Sequence, residues 1–228
     1  MHGNVHIHTT ALEDSSFFKV EGQRERAKGR KMNEKYENVL NELNKRMGEG
    51  TYRGELTKAM NMLAEDHKVV FLGQSVVYPG NALFGTLENI PAERKIELPV
   101  MEEAQMGISI GLALEGYLPV SIFPRMDFLI LAVNQLVNHL DKIEEMSCGL
   151  YKPKVIIRTA VGATDPLYPG VQHCQDHTDA LRLMLTNIDV VKLREGGDIV
   201  PAYKRALESS KPTMLVELTN SYSEHVVD

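Results

Sequence analysis

Tryptophan is absent from this 228-residue chain, and Cys148 and Cys174 are its only cysteines. Two thiols far apart in sequence exclude a disulfide framework and a Cys-based zinc module, and make a reducing cytoplasm the expected compartment. A basic excess is missing too. The 25 Lys and Arg face 31 Asp and Glu, for a net charge of −6. Nothing there neutralises phosphates, so nucleic acid is not expected as a partner. The one basic run, Arg24 to Lys31, is offset by nearby acids and reads as a solvated helix face. Apolar runs such as Phe128 to Val133 fall far short of the roughly 20 residues a membrane span needs, so no membrane partner is expected. The amino terminus lacks the apolar core of a signal peptide. Its MHGNVHIHTT is polar and His-rich, and reads as a tag remnant or tail rather than a metal site. Internal repeats, a GxGxxG fingerprint and a P-loop are all absent.

What remains is 43% hydrophobic, enough for a real core. Residues 1–50 form an amino-terminal extension: a polar tail, then a helix from Lys31 to Met47 with Tyr36, Val39, Leu40, Leu43 and Met47 at helical spacing. Gly48 and Gly50 stop that helix. From residue 51 to 228 the pattern is one domain. A helix is expected over Tyr52 to Ala64. Six short apolar strands follow: Val69–Gly73, Lys95–Leu98, Pro119–Phe123, Lys154–Thr159, Asp189–Leu193 and Thr213–Leu218. Helices Glu102–Glu115, Asp127–Met146, Thr178–Asn187 and Asp198–Ser209 lie between them. Continuous apolar runs, rather than alternating ones, suit strands covered on both faces. The expected fold is therefore a three-layer α/β/α sandwich around a mostly parallel six-stranded sheet. Ligands in such sheets bind beyond the carboxyl ends of the strands. That singles out Pro99–Glu102, Pro124–Phe128 and the long loop Thr159–His177.

Glu102 stands where a strand turns into a helix within a very apolar stretch. Burial there favours the protonated form unless a partner or ligand offsets the cost, which suits a carboxyl group that hands a proton to a bound ring. An acid in the first helical turn also simply complements the helix dipole. His173, Cys174, Asp176 and His177 cluster before a helix. They allow a metal site, a Cys–His nucleophile pair, a general acid–base role for His173, or a structural histidine. Phe123, Met126 and Phe128 are either core or an aromatic shelf for a planar ligand. Gly107, Gly111 and Gly116 give the helix after Glu102 a small-residue edge, expected where another helix approaches closely.

These segments, in order, resemble a known family. TYRGELTKAMNMLAEDHKVVFLGQSV is similar to the opening helix and first strand of the β-subunit of the first component of thiamine diphosphate-dependent 2-oxo acid dehydrogenases. LPVMEEAQMGISIGLALEGYLPV resembles its proline–acid junction and glycine-bearing helix. VNQLVNHLDKI resembles its long helix, and GVQHCQD its Q-H-S-Q loop. The matching part is the pyrimidine-binding domain, shared with transketolase-like enzymes.

The resemblance implies a split active site. Glu102 falls on the glutamate that hydrogen-bonds a ring nitrogen of the cofactor's aminopyrimidine, Phe128 on the aromatic that packs on that ring, and His173 on the histidine at the channel mouth. Pro124 and Leu131 stand where the family has Met and Gln lining the pyrimidine pocket, Met101 where it has Ser, and Gln74–Ser75 where it has acids. The diphosphate-binding GDG motif is missing; EGGD (Glu195 to Asp198) with Asn220 imitates it by chance. The family's carboxyl-terminal domain is expected to be absent. An α-like subunit would hold the diphosphate and magnesium, with no metal on this chain, and the two subunits would self-associate into a heterotetramer. The substrate implied is a 2-oxo acid. The alternatives are a split transketolase-like carboligase acting on sugars or aldehydes, or a non-catalytic homologue.

Overall fold

The computed structural model describes residues 48, 50–165 and 168–226. The helix expected over 31–47 and the His-rich segment lie outside them. Thr51 opens α1 (Tyr52–Ala64): its Oγ1 accepts from the Gly54 amide at 3.1 Å, satisfying one of the free donors of a helix start. Tyr52, Leu56, Ala59, Met60 and Leu63 then form one buried stripe. Six strands follow: β1 (Val69–Gly73), β2 (Lys95–Glu97), β3 (Leu118–Phe123), β4 (Ile156–Val161), β5 (Asp189–Lys192) and β6 (Thr213–Leu218). All pair in parallel, in the order β2-β1-β3-β4-β6-β5. β3 is buried along its whole length and β4 and β6 along all but their last residue, which is why they read as unbroken apolar runs.

The sheet divides two cores. On one face, α1 and α6 (Ile199–Glu208) pack over Phe71, Val120, Ile156 and Leu215. On the other, α2 (Glu102–Leu114), the helical segment from Met126 to Met146 and α5 (Thr178–Met184) cover Phe123, Ile157, Met214 and Val216. The three-layer α/β/α sandwich is as the residue pattern requires.

The expected helix Asp127–Met146 is not one regular helix. It runs as α3 (Met126–Leu129), a 3₁₀ turn (Ile130–Ala132), a π-helical segment (Gln135–Leu140) and α4 (Ile143–Met146). The buried side chains explain the change: Met126, Leu129 and Ala132 step by three, then Ala132, Leu136 and Leu140 step by four. A tight turn followed by a wide one keeps all five on the core. β4 begins two residues later than expected and reaches Val161, opposite Leu218 of β6. Gly116, expected at a helix contact, has φ +90° and ends α2 instead.

Between β4 and β6 the first core holds a buried ion pair. Arg158 donates to both Glu217 oxygens, through Nε and, at 3.1 Å, through Nη2. Its Nη1 reaches Thr86 Oγ1 at 2.8 Å. The Tyr203 and Tyr222 hydroxyls donate to Glu217 at 3.0 and 2.6 Å. Burial opposes the Arg158 charge, but Glu217 outweighs it and the arginine pKa stands above its ordinary value. Burial first, and the Glu217 charge second, push both tyrosine hydroxyls well above theirs. Glu217→Gln leaves a fully buried cation without its counter-charge, and should cost about 3–5 kcal/mol in urea unfolding at pH 7. A loss below about 1 kcal/mol would contradict this account.

Asp141, 2% exposed, accepts from the Thr186 and Asn187 amides at 2.9 and 2.7 Å and pairs with Lys142 at 2.9 Å. Burial raises its pKa, but the Asn187 amide, Lys142 and Thr186 more than offset that and hold it below the usual carboxylate range. The stabilisation is therefore full above the unfolded value of about 3.9 and disappears as pH falls through the lower folded value. Asp141→Asn should lose about 1–3 kcal/mol at pH 7. The gap to wild type should narrow in acid unfolding series below about pH 4; a constant gap would contradict the assignment.

Candidate functional site

The carboxyl ends of β1, β2, β3 and β4 lie along one edge of the sheet, and every expected site residue follows one of them. Gly73 closes β1 with φ +156°, and a Cβ there would lie 2.3 Å from the Ile122 carbonyl of β3. Only a bare α-carbon allows this close approach. The next turn carries Gln74 and Ser75. Ser75 sits at φ +56°, and the amides of Ser75, Val76 and Val77 donate to the Glu97 carboxylate at 2.6, 2.7 and 3.0 Å. The acid expected but missing after β1 thus has a counterpart in Glu97, reaching over from β2. Sequence reasoning passed over Glu97, since nothing in KIEL shows that β2 pairs with β1.

Glu102 is the first residue of α2 and is 7% exposed. Its carboxylate has no hydrogen-bond partner among the described residues. The cap position, Met101, supplies no side-chain hydrogen bond, so Glu102 lies among unsatisfied amides at the positive end of the helix dipole. Its neighbour Glu103 is spoken for, accepting at 3.3 and 3.4 Å from the side chains of Asn134 and Gln135. Gln105 locks the helix in place: its amide donates to Ser121 Oγ at 3.1 Å and to the Ile122 carbonyl at 3.0 Å, both in β3.

Pro124, half-buried, ends β3 and leads into Arg125 and α3. Phe128 meets the His173 ring edge-on, centroids 5.5 Å apart and planes at 87°. The Arg125 guanidinium donates from Nη1 to the His173 carbonyl at 2.9 Å. Asp127 Oδ1 accepts from the Gln175 amide at 3.3 Å and its side chain at 2.9 Å. The loops after β3 and β4 are therefore interlocked by Arg125, Asp127 and Phe128 of one and His173 and Gln175 of the other. Leu131 lies on the 3₁₀ turn, which packs against α2, and is 64% exposed. The structure thus brings Phe128 and His173 into contact and sets Glu102, Pro124 and Leu131 around the same edge of the sheet. Arg125, Asp127 and Gln175 were not anticipated; their roles are contacts between distant loops.

The His/Cys/Asp cluster separates. Cys174 Sγ points to the Ala163 carbonyl at 3.2 Å, away from any nucleophile–base pairing. Asp176 pairs with Lys192 and with Thr178. Burial raises its pKa, but Lys192 and Thr178 outweigh that and bring it to about 2. His177 lines an apolar cavity of about 410 Å³ with Met126, Leu129 and Leu181. Among the described residues no three His, Cys, Asp or Glu side chains gather as a metal site would require. His173 Nδ1 is buried with no partner. Gly196–Asp198 is a separate short turn, and Asn220 accepts from the Thr164 amide at 2.8 Å, so EGGD and Asn220 form no joint site.

The side chains present are of the kinds a planar, aminopyrimidine-like ring would need. A buried carboxylate without a partner offers it a hydrogen bond, and a half-buried aromatic offers it a face.

Comparison with known proteins bears on the family and the fold. The family described as transketolase, pyrimidine binding domain, matches residues 49–224. The 3-methyl-2-oxobutanoate dehydrogenase subunit beta of Mycobacterium tuberculosis is 27% identical over 166 residues, covering 70% of this chain and 46% of that protein. The pyruvate dehydrogenase E1 component subunit beta of Rickettsia conorii is 28% identical over 171 residues, covering 73% and 52%. The chain thus spans about half the length of these curated relatives. Among solved structures, a split gene transketolase described as an inactive beta4 tetramer superposes with a TM-score of 0.58 at 19% identity, covering 79% of this chain and 54% of that one. The transketolase of Campylobacter jejuni gives 0.53 at 18% identity, covering 86% and 32%; both speak to the fold. The chain belongs to the transketolase pyrimidine-binding domain family.

Proposed function

We propose that this chain is the pyrimidine-binding subunit of a split thiamine diphosphate-dependent enzyme that decarboxylates a 2-oxo acid, in the manner of a dehydrogenase β-subunit. The observation that carries the reading is Glu102: a buried, unpartnered carboxylate at a helix start on the ligand edge of a parallel sheet. With no hydrogen bond inside the described residues, this carboxylate is available to a ring nitrogen presented at the helix start. When bound, thiamine diphosphate supplies an electron sink beside the 2-oxo carbon. The protein's part is positioning and proton handling. Glu102 shares a proton with the pyrimidine ring nitrogen. Phe128 packs on the ring, with Pro124 as an apolar neighbour and Leu131, exposed in this chain, as an apolar side chain for the partner to cover. His173, with Nδ1 free, handles protons at the substrate end.

In this reading the diphosphate and its magnesium belong to an α-like partner subunit, a division suggested by the likeness to dehydrogenase beta subunits. The resulting assembly is a heterotetramer in the cytoplasm, and no helix among the described residues is long and apolar enough to cross a membrane. α2 supplies a suitable contact face. A Cβ at Gly107 or Gly111 would meet nothing within 4 Å among the described residues, and Ile108 and Leu114 are exposed on the same helix.

Glu102→Gln keeps the shape and removes the shared proton. In the complex reconstituted with the partner, turnover should fall by about 10²-fold or more while the melting temperature of the isolated chain holds. Unchanged turnover would sink the proposal, and tight calorimetric binding of thiamine diphosphate with magnesium to this chain alone would refute the division of the site.

A further inference from the structure

We propose that Arg125 is the anion-recognition residue of this site, binding the carboxylate or phosphate oxygens of the substrate. The inference rests on reading the loops after β3 and β4 as part of the ligand site. Arg125 follows the carboxyl end of β3 and is half-buried. One of its five N–H donors goes to the His173 carbonyl. It makes no ion pair among the described residues, unlike Arg158 with Glu217 and Arg182 with Asp179. Among the described residues no acid lies within ion-pair distance of it. Asp127 Oδ1 is held by Gln175, Asp176 is neutralised by Lys192, and Glu102 lies at the start of α2. A partly desolvated cation without a counter-ion is costly to keep unless a ligand supplies the negative charge.

The side chain is also held for that purpose. A Cβ at Gly162 would come within 1.8 Å of the His173 carbonyl and 2.6 Å of Arg125 Nη1. The bare α-carbon therefore lets guanidinium, carbonyl and backbone meet at one point. With Nη1 anchored, the guanidinium is fixed with donors to spare, and its planar fork suits the paired oxygens of a carboxylate or phosphate. An anion bound there lies beside His173, whose ring is braced by Phe128. Asp127 Oδ2, buried and without a partner, adds an acceptor suited to a hydroxyl on the same molecule. Two chemistries meet this description: the carboxylate of a 2-oxo acid and the phosphate of a sugar phosphate.

The test uses the full chain, isotopically labelled and without cofactor or partner, titrated with inorganic phosphate and separately with 2-oxobutanoate. Saturable shifts of the His173 ring and Gln175 amide signals are expected with at least one probe. The probe that binds more tightly identifies the source of the anion. Arg125→Gln, which keeps a donor for the His173 carbonyl, should weaken that binding at least tenfold while its melting curve stays close to wild type. Arg125→Lys should recover part of it. In the assembled enzyme Arg125→Lys should raise KM more than it lowers kcat. Absence of shifts with both probes, or equal affinity in Arg125→Gln, would overturn the proposal. Because the titration involves neither cofactor nor turnover, its failure is distinguishable from failure of the cofactor reading, which the Glu102→Gln turnover assay tests.

Discussion

The Arg158–Glu217 ion pair is the constraint around which this fold is arranged. Two opposite charges, both fully buried, sit on neighbouring central strands, and each must find hydrogen bonds from other elements to be tolerable there. Thr86 comes from the segment between β1 and β2, Tyr203 from α6 and Tyr222 from the turn after β6. The Tyr222 ring stacks on Tyr52 of α1, and the Tyr52 hydroxyl bonds the Leu193 carbonyl and the Leu218 amide. One charge pair thereby fixes the register of β4 against β6 and the seating of both helices on that face. It is a device for specificity more than for net stability, since an apolar core of equal volume would hold at least as well.

The site lies at the strand ends that this network steadies. On the opposite face, Gln105 pins α2 to β3, and the first turn of α2 places Glu102 beyond the sheet. The interlock of residues 125–128 with 173–175 carries His173 to Phe128. The rigid parts are sheet and helix; the candidate site residues come after the strand ends, where ligands bind in parallel α/β architectures.

Much of this could be read from the residues. Val69–Gly73, Thr213–Leu218 and Tyr52–Ala64 have the boundaries expected of them, because short apolar runs and a capped amphipathic stripe are local signals. Glu102 was visible as an acid at a strand-to-helix junction, and Phe128 and His173 from the order of flanking segments. The broken helix from Met126 to Met146 was not visible. Its turns tighten and widen to suit core positions that only packing defines. Glu97 in the amides of residues 75–77, and Arg125 on the carbonyl of His173, were equally hidden, for they join residues far apart in sequence.

By itself the sequence determined the periodicities, and with them the elements and the parallel sheet. Those follow from burying apolar side chains at helical or strand spacing, which is decided residue by residue. Tertiary structure alone decided which polar groups are satisfied and which are left over. Asp176 turns out to be occupied with Lys192, while His173 Nδ1, His177 Nε2 and Asp127 Oδ2 are buried without partners and Glu102 and Arg125 make no ion pair among the described residues. A hydrogen bond or ion pair depends on distances of a few tenths of an ångström between separate loops, and no pattern along the chain encodes those.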